Sequence, residues 1–230
     1  MRDTVPPQKY LSFYHNTDYI VVKQFQKQET KTTFLEKNDI MTLPKIDIRH
    51  ERIISEVEKG SIAKTVLNVG AGDCKVDYHL IKKGYKVYST DYKREKHFDD
   101  KMQGYFSELD YSISNVFDLN TFPVKQADVV MCCEVLEHLV DYQEAFKNLL
   151  KLTKKRLIIG VPWRRSFFMP GEPPIGHCNF WDDEKTKDYK SIYEFENLCS
   201  PHKFYAEKIL TKPEDERRGQ KSYVCIIDKV

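Results

Sequence analysis

No apolar run in the 230-residue chain approaches the ~20 residues that cross a bilayer. The opening segment, Met1-Arg2-Asp3-Thr4-Val5-Pro6-Pro7, lacks the apolar core of a secretory signal. The expectation is a soluble, cytoplasmic protein with no membrane partner. Neither sign of charge dominates: 37 Lys and Arg stand against 35 Asp and Glu, a formal net charge of +2. That balance excludes a global polycation for nucleic acid or anionic lipid and leaves room only for local basic patches. The six cysteines show no Cys-x-x-Cys pair or metal-ribbon spacing, so free thiols are expected rather than three disulfides. There is no internal repeat, no low-complexity linker and no Walker-type phosphate loop. Aromatic residues, in contrast, make up 13% of the chain, too many for a disordered one.

Residues 1–44 are irregular, polar and dotted with Tyr and Phe. They read as an N-terminal extension, either a lid over a pocket or a surface for dimer contact; monomer and homodimer both remain open. From Pro44 an amphipathic helix runs to about Gly60, with Ile46, Ile53, Ile54 and Val57 broadly on one face. Residues 45–230 form the expected domain. Buried strands are read at 65–69, 86–90, 111–115, 127–132 and 156–161, with a clear helix at 142–152. Alternation of strands with helices implies right-handed crossovers and a mostly parallel α/β sheet. A helix at 191–199 and two strands at 205–210 and 222–227, joined by a polar loop, suggest an antiparallel pair at the sheet edge.

The first strand runs into Val69-Gly70-Ala71-Gly72-Asp73-Cys74. Glycine there lets the backbone bend sharply and lets a ligand approach without a Cβ in the way. Asp91 closes the second strand, where an acid accepts the hydroxyls of an adenosine ribose in nucleotide-binding α/β folds. A dinucleotide fingerprint carries a third glycine beside the pyrophosphate; this chain has Lys75-Val76 there. The turn therefore favours a ligand without pyrophosphate, such as S-adenosylmethionine.

These residues resemble the class I S-adenosylmethionine-dependent methyltransferases over residues 65–162. Residues 66–74 look like the glycine motif of that family, although its frequent third glycine is Cys74 here. Ser89-Thr90-Asp91 matches the ribose motif, and Asn115-Val116-Phe117-Asp118-Leu119 the segment that meets adenine, with Asn115 in place of the usual acid and Asp118 as a substitute. Residues 128–139 closely match the fourth-strand motif of the type found in quinone biosynthesis. The resemblance implies a Rossmann-like, seven-stranded sheet ending in a reversed edge hairpin. It implies S-adenosylmethionine as cofactor, contacted by Val69, Gly70, Ala71, Gly72, Asp91, Tyr92, Asn115, Val116, Phe117, Cys133 and Glu134.

Glu134-Val135-Leu136-Glu137-His138 follows the fourth strand, and His177 comes later. Three readings stand side by side. Glu134 helps hold the cofactor while Glu137 and His138 cap or pack; or His138, with His177, serves acid–base chemistry; or all four residues bind a divalent metal. The resemblance gives the last a precedent in small-RNA terminal 2′-O-methyltransferases and some quinone-pathway O-methyltransferases, but many relatives with Glu-His here need no metal, and metal is the less favoured reading. Trp163, Arg164 and Arg165, at the start of a Pro/Gly-rich loop, are the candidate acceptor-binding residues, the arginines for a phosphate or carboxylate. The expected function is methyl transfer to an oxygen or nitrogen of a small metabolite or sugar derivative. A metal-assisted RNA 2′-O-methyltransferase and a non-catalytic cofactor-binding scaffold are the alternatives.

Overall fold

In the computed structural model, which describes residues 43–59, 64–93, 109–164, 176–210 and 221–230, the apolar runs become strands. These are β1 (Thr65–Val69), β2 (Lys86–Asp91), β3 (Asp110–Ile113), β4 (Ala127–Cys133), β5 (Thr153–Pro162), β6 (Trp181–Asp182), β7 (Lys190–Ser191), β8 (Lys203–Leu210) and β9 (Lys221–Asp228). Seven form one sheet in the order β3-β2-β1-β4-β5-β9-β8, while β6 and β7 pair separately. β9 alone is antiparallel to its neighbours β5 and β8, the edge reversal expected from two late strands with no crossover helix. The helices are α1 (Ile48–Glu58), α2 (Lys75–Lys82), α3 (Tyr142–Leu152) and α4 (Glu194–Cys199).

Boundaries moved where side chains compete for the backbone. The third strand ends at Ile113 rather than at 115, because the Asn115 N–H donates to Thr121 Oγ1 (2.8 Å) and the Asn115 Oδ1 accepts from the Phe117 N–H (3.0 Å). α1 starts at Ile48 because Asp47 caps it: Asp47 Oδ1 accepts from the His50 N–H (2.9 Å), and His50 Nδ1 accepts in return from the Asp47 N–H (3.3 Å). The late helix is shorter than 191–199, since residues 190–191 are spent on β7. All six cysteines are free thiols. Most of the N-terminal extension, Arg165 and nearly all of the polar loop at 212–221 lie outside the described residues.

Both faces of the sheet are covered. On one, Ile53, Ile54 and Val57 of α1 join Val66, Val129, Ile158 and Val224 of the strands. On the other, Phe146, Leu149 and Leu152 of α3 and Phe195 of α4 pack on Leu67, Val130, Leu157 and Ile159. Burying one such aliphatic side chain stabilises by roughly 1.5–3 kcal/mol. Arg156 on β5 locks α1 in place: it binds Asp228 through two nitrogens (2.6 and 3.0 Å) and donates to the Glu56 carbonyl (2.8 Å) and carboxylate (3.2 Å). The result fixes which face of α1 looks toward the carboxyl ends of β1 and β4.

Behind the first turn lies a fully buried acid. Asp77 accepts from Asn68 Nδ2 at 2.7 Å, and burial raises its pKa to about 6 against hydrogen bonds from Ser89 and Asn68 that lower it. A folded pKa above the unfolded value means the contribution is full at pH below about 4 and is lost as pH rises through 6. Asp77→Asn is expected to remove that loss. Between pH 4 and 7, urea unfolding should show the variant gaining roughly 2–3 kcal/mol relative to the wild-type chain; an identical pH dependence in both would contradict this.

Candidate active site

The turn after β1 is tied to the end of β2. The Gly70 and Ala71 N–H groups donate to the Thr90 carbonyl (2.8 and 2.9 Å), and the Gly72 N–H donates to Asp91 Oδ2 (3.0 Å). Asp91 Oδ1 accepts from the Tyr92 N–H (2.7 Å); each carboxylate oxygen has a second acceptor site for a ligand hydroxyl. The two glycines do different jobs. A Cβ on Gly70 would lie 2.2 Å from Val135 Cγ2, whereas a Cβ on Gly72 would meet nothing within 4 Å. Gly70 is demanded by packing, and Gly72 borders open space. Cys74 adopts the left-handed conformation (φ 54°) at the place of the missing third glycine and is fully buried, its thiol pKa raised by that burial.

That open space is a cavity of about 240 Å³ lined by Arg49, Asn68, Gly70, Gly72, Cys133 and Glu134, among others. It lies where open α/β sheets bind ligands, outside the carboxyl ends of strands at the point where the order reverses. Of the sequence-expected contacts, Gly70, Ala71, Gly72, Cys133 and Glu134 line it. Val69 is buried at the end of β1 behind it, Asp91 and the half-exposed Tyr92 close β2, and Asn115 and Phe117 follow β3. The Val116 side chain turns into the core, and its carbonyl accepts from Asn148 Nδ2 (3.0 Å).

Arg49 was not foreseen. Its side chain is 14% exposed, with Nη1 2.8 Å from Glu134 Oε1 and Nη2 3.6 Å from Asp47 Oδ2, while Nε is buried without a hydrogen-bond partner. Burial works against its charge, but Glu134 and Asp47 more than offset this and raise its pKa. The signal was present: Arg49 stands four residues before Ile53, a cation on the apolar face of an amphipathic helix.

Beside the cavity, β4 runs into Glu134, which holds a left-handed backbone (φ 57°), and then a 3-10 turn, Leu136–His138. Glu137 is completely buried, and neither carboxylate oxygen has a hydrogen-bond partner among the described residues. Burial first, and the Glu134 charge second, push its pKa well up. The Cys178 and Asn179 N–H groups donate to the Glu137 carbonyl (2.6 and 3.0 Å), and Asn179 Nδ2 donates to the carbonyls of Leu136 (3.1 Å) and Leu139 (2.7 Å). This latch brings His177 edge-on to His138, with ring centroids 4.5 Å apart. One ligand atom from each of Glu137, His138 and His177 lies within 4.8 Å of the other two. His138 Nδ1 is 2.8 Å from the Gly176 carbonyl, which can only accept, so Nδ1 carries a proton, and Nε2 faces Glu137 Oε1 at 3.9 Å. Burial, helped by His138, lowers the His177 pKa to about 4.

A family model described as a methyltransferase domain matches residues 67–159. The chain is 27% identical over 150 residues to the ubiquinone biosynthesis O-methyltransferase of Rickettsia bellii, a match covering 62% of this chain and 58% of that protein. The magnesium protoporphyrin IX methyltransferase of Synechocystis, solved with bound S-adenosylhomocysteine, superposes with a TM-score of 0.58 at 15% identity, covering 79% of this chain and 82% of that one. The 1,6-didemethyltoxoflavin N1-methyltransferase of Burkholderia thailandensis superposes at 0.57 and 14% identity, covering 80% and 77%. Residues 67–159 thus match a methyltransferase domain, set in a sheet with the Rossmann-like fold of those solved enzymes. The Synechocystis enzyme has also been solved with bound S-adenosylmethionine.

At the same carboxyl edge of the sheet, Trp163 and Arg164 follow β5. Asp182 takes both: Oδ1 accepts from Trp163 Nε1 (3.0 Å) and Oδ2 from Arg164 Nε (2.7 Å). Arg164 (φ 50°), Lys208 and Lys221 all place their charged groups 4.8–5.1 Å from the Trp163 ring. Neither residue lines the cavity beside the glycine turn.

The contrast between the glycines gives a direct test. Gly72→Ala costs only backbone strain, about 1–2 kcal/mol, but puts a methyl into the cradle. It should leave a cooperative melt and weaken S-adenosylhomocysteine binding at least tenfold by calorimetry. Gly70→Ala, with the Val135 clash, should lower the melting temperature more. The reverse ranking would contradict the assignment of the cavity.

Proposed function

We propose that this domain transfers the methyl group of S-adenosylmethionine to a hydroxyl oxygen of a small-molecule acceptor, with a divalent cation held by Glu137, His138 and His177. The observation that carries this reading is the Glu137 carboxylate, buried without a hydrogen-bond partner beside two imidazoles, of which His177 is kept neutral by burial. A buried carboxylate is stabilised either by taking a proton or by facing a cation. An imidazole kept neutral by burial is a ligand rather than a counter-charge, and with His138 and Glu137 beside His177 the donor set fits a metal. The R. bellii relative is named as an O-methyltransferase in ubiquinone biosynthesis, which supports an oxygen acceptor. Since the chain spans under two thirds of that relative, its acceptor is not carried over.

In this reading Asp91 receives the ribose hydroxyls, Gly72 leaves room for the methionine portion, and Arg49 meets its carboxylate. Tyr92, Asn115 and Phe117 border the adenine. The sulfonium already activates the methyl: the acceptor O–C bond forms as the S–C bond breaks, the sulfur keeps the electron pair, and the hydroxyl proton passes to solvent water. A cation at Glu137, His138 and His177 would lower the hydroxyl pKa and orient it. Trp163 and Arg164 form the outer acceptor wall.

A terminal RNA ribose is a second acceptor, favoured by the three cations around Trp163. It predicts RNA binding that weakens steeply with salt.

Turnover is checked by S-adenosylhomocysteine release with a panel of vicinal diols, catechols and a short RNA. With the active acceptor, chelator should stop the reaction and Mn²⁺ or Mg²⁺ restore it. Glu137→Gln should lose activity by at least 100-fold while melting no lower than the parent in chelator, because it removes only a buried charge. Full activity in chelator would overturn the metal part of the proposal. Cofactor binding without turnover on any acceptor would favour a scaffold.

A further inference from the structure

Glu134 stands between the two sites just described. Its carboxylate lines the cofactor cavity and pairs with Arg49 at 2.8 Å, yet it lies three residues from Glu137 and four from His138 across a single 3-10 turn. Its backbone is held in a left-handed conformation that a non-glycine residue adopts at a cost of about 1–2 kcal/mol. Such strain is retained where it aims a side chain. Of the basic groups lining the cavity, Lys75 is engaged by Asp73 at 2.6 Å, and His50 pairs with Asp47 while burial disfavours its charge, which leaves Arg49 as the largely buried cation facing a methionine carboxylate. With that carboxylate in place, one guanidinium faces three anions: Asp47, Glu134 and the cofactor.

Resting on the cofactor and cation reading above, we propose that Glu134 exchanges partners: the cofactor's carboxylate takes Arg49 from Glu134, and the released Glu134 joins Glu137, His138 and His177 around the divalent cation. Cofactor and cation then bind with positive coupling. Each supplies what the other's arrival leaves unbalanced: the cofactor frees a ligand for the cation, and the cation neutralises the carboxylate that Arg49 has given up. The coupling is reciprocal by thermodynamic necessity. The cation site is completed only when a methyl donor is present, so an acceptor gathered by the cation meets a loaded enzyme.

The test is Mn²⁺ affinity, read by the loss of free Mn²⁺ signal in electron paramagnetic resonance, with and without saturating S-adenosylhomocysteine. For the full chain, the Mn²⁺ Kd should fall at least fivefold with the nucleoside present, and the S-adenosylhomocysteine Kd, by calorimetry, should fall by the same factor with Mn²⁺. Arg49→Met leaves Glu134 without its partner from the start. It should bind Mn²⁺ without the nucleoside about as tightly as the parent does with it, and the coupling should shrink toward one. Glu134→Gln, isosteric and uncharged, should also abolish the coupling while retaining S-adenosylhomocysteine binding. Circular dichroism melts establish that both variants are folded. Equal Mn²⁺ affinities in the two states of the parent, or coupling that survives in Glu134→Gln, would overturn the exchange while leaving cofactor and cation sites intact. Absence of Mn²⁺ binding in both states would overturn the cation site and the exchange together, and absence of nucleoside binding the cofactor assignment.

Discussion

Two carboxylates follow the same strand, a partly buried Glu134 and a fully buried Glu137, and a carboxylate taken out of water requires a counter-charge or a proton. β4 is buried along nearly its whole length, so the residues that follow it emerge inside the molecule. Much of the surrounding structure answers that constraint. α1, pinned by Arg156 and by its aliphatic face, delivers Arg49 to Glu134. The segment at 176–180, latched to the 3-10 turn by backbone hydrogen bonds, delivers His177 to the neighbourhood of Glu137. The first acid meets a fixed cation, and the second meets two imidazoles. That asymmetry separates a cofactor-facing acid from one suited to a metal ion.

The same logic divides the work between sheet and loops. The parallel strands supply a rigid frame whose register sets the glycine turn against Thr90 and Asp91. In the proposed function this frame binds a cofactor that already carries an activated methyl group, so the protein's task is placement and charge. The region after β5 is built differently, from Trp163, Arg164 and the Asp182 that holds them, and in the proposed function it is the acceptor side.

Much of this was legible in the sequence, for identifiable reasons. Buried parallel strands announce themselves as short apolar runs, and the Gly70-Ala71-Gly72 turn with Asp91 nineteen residues later is a local pattern that needs no tertiary information. The edge hairpin followed from two late strands without a helix. What was missed depends on long-range contacts. Arg49 looked like one charge on an amphipathic helix until the packing of Ile53 and Val57 turned that face inward. The Glu137–His138 pair was visible, but its convergence with His177 rests on main-chain bonds from Cys178 and Asn179 that no spacing reveals. Asn115 left its expected strand because its side chain caps its own turn, a local competition that apolar patterning does not register.

The most direct test of the account is an anomalous difference map from crystals grown with Mn²⁺ and S-adenosylhomocysteine. The account predicts one strong peak within bonding distance of a Glu137 carboxylate oxygen, His138 Nε2 and His177, with the homocysteine carboxylate on Arg49 and the ribose on Asp91. A map with the nucleoside in the cavity, no peak at Glu137 and Glu134 still paired to Arg49 would contradict it.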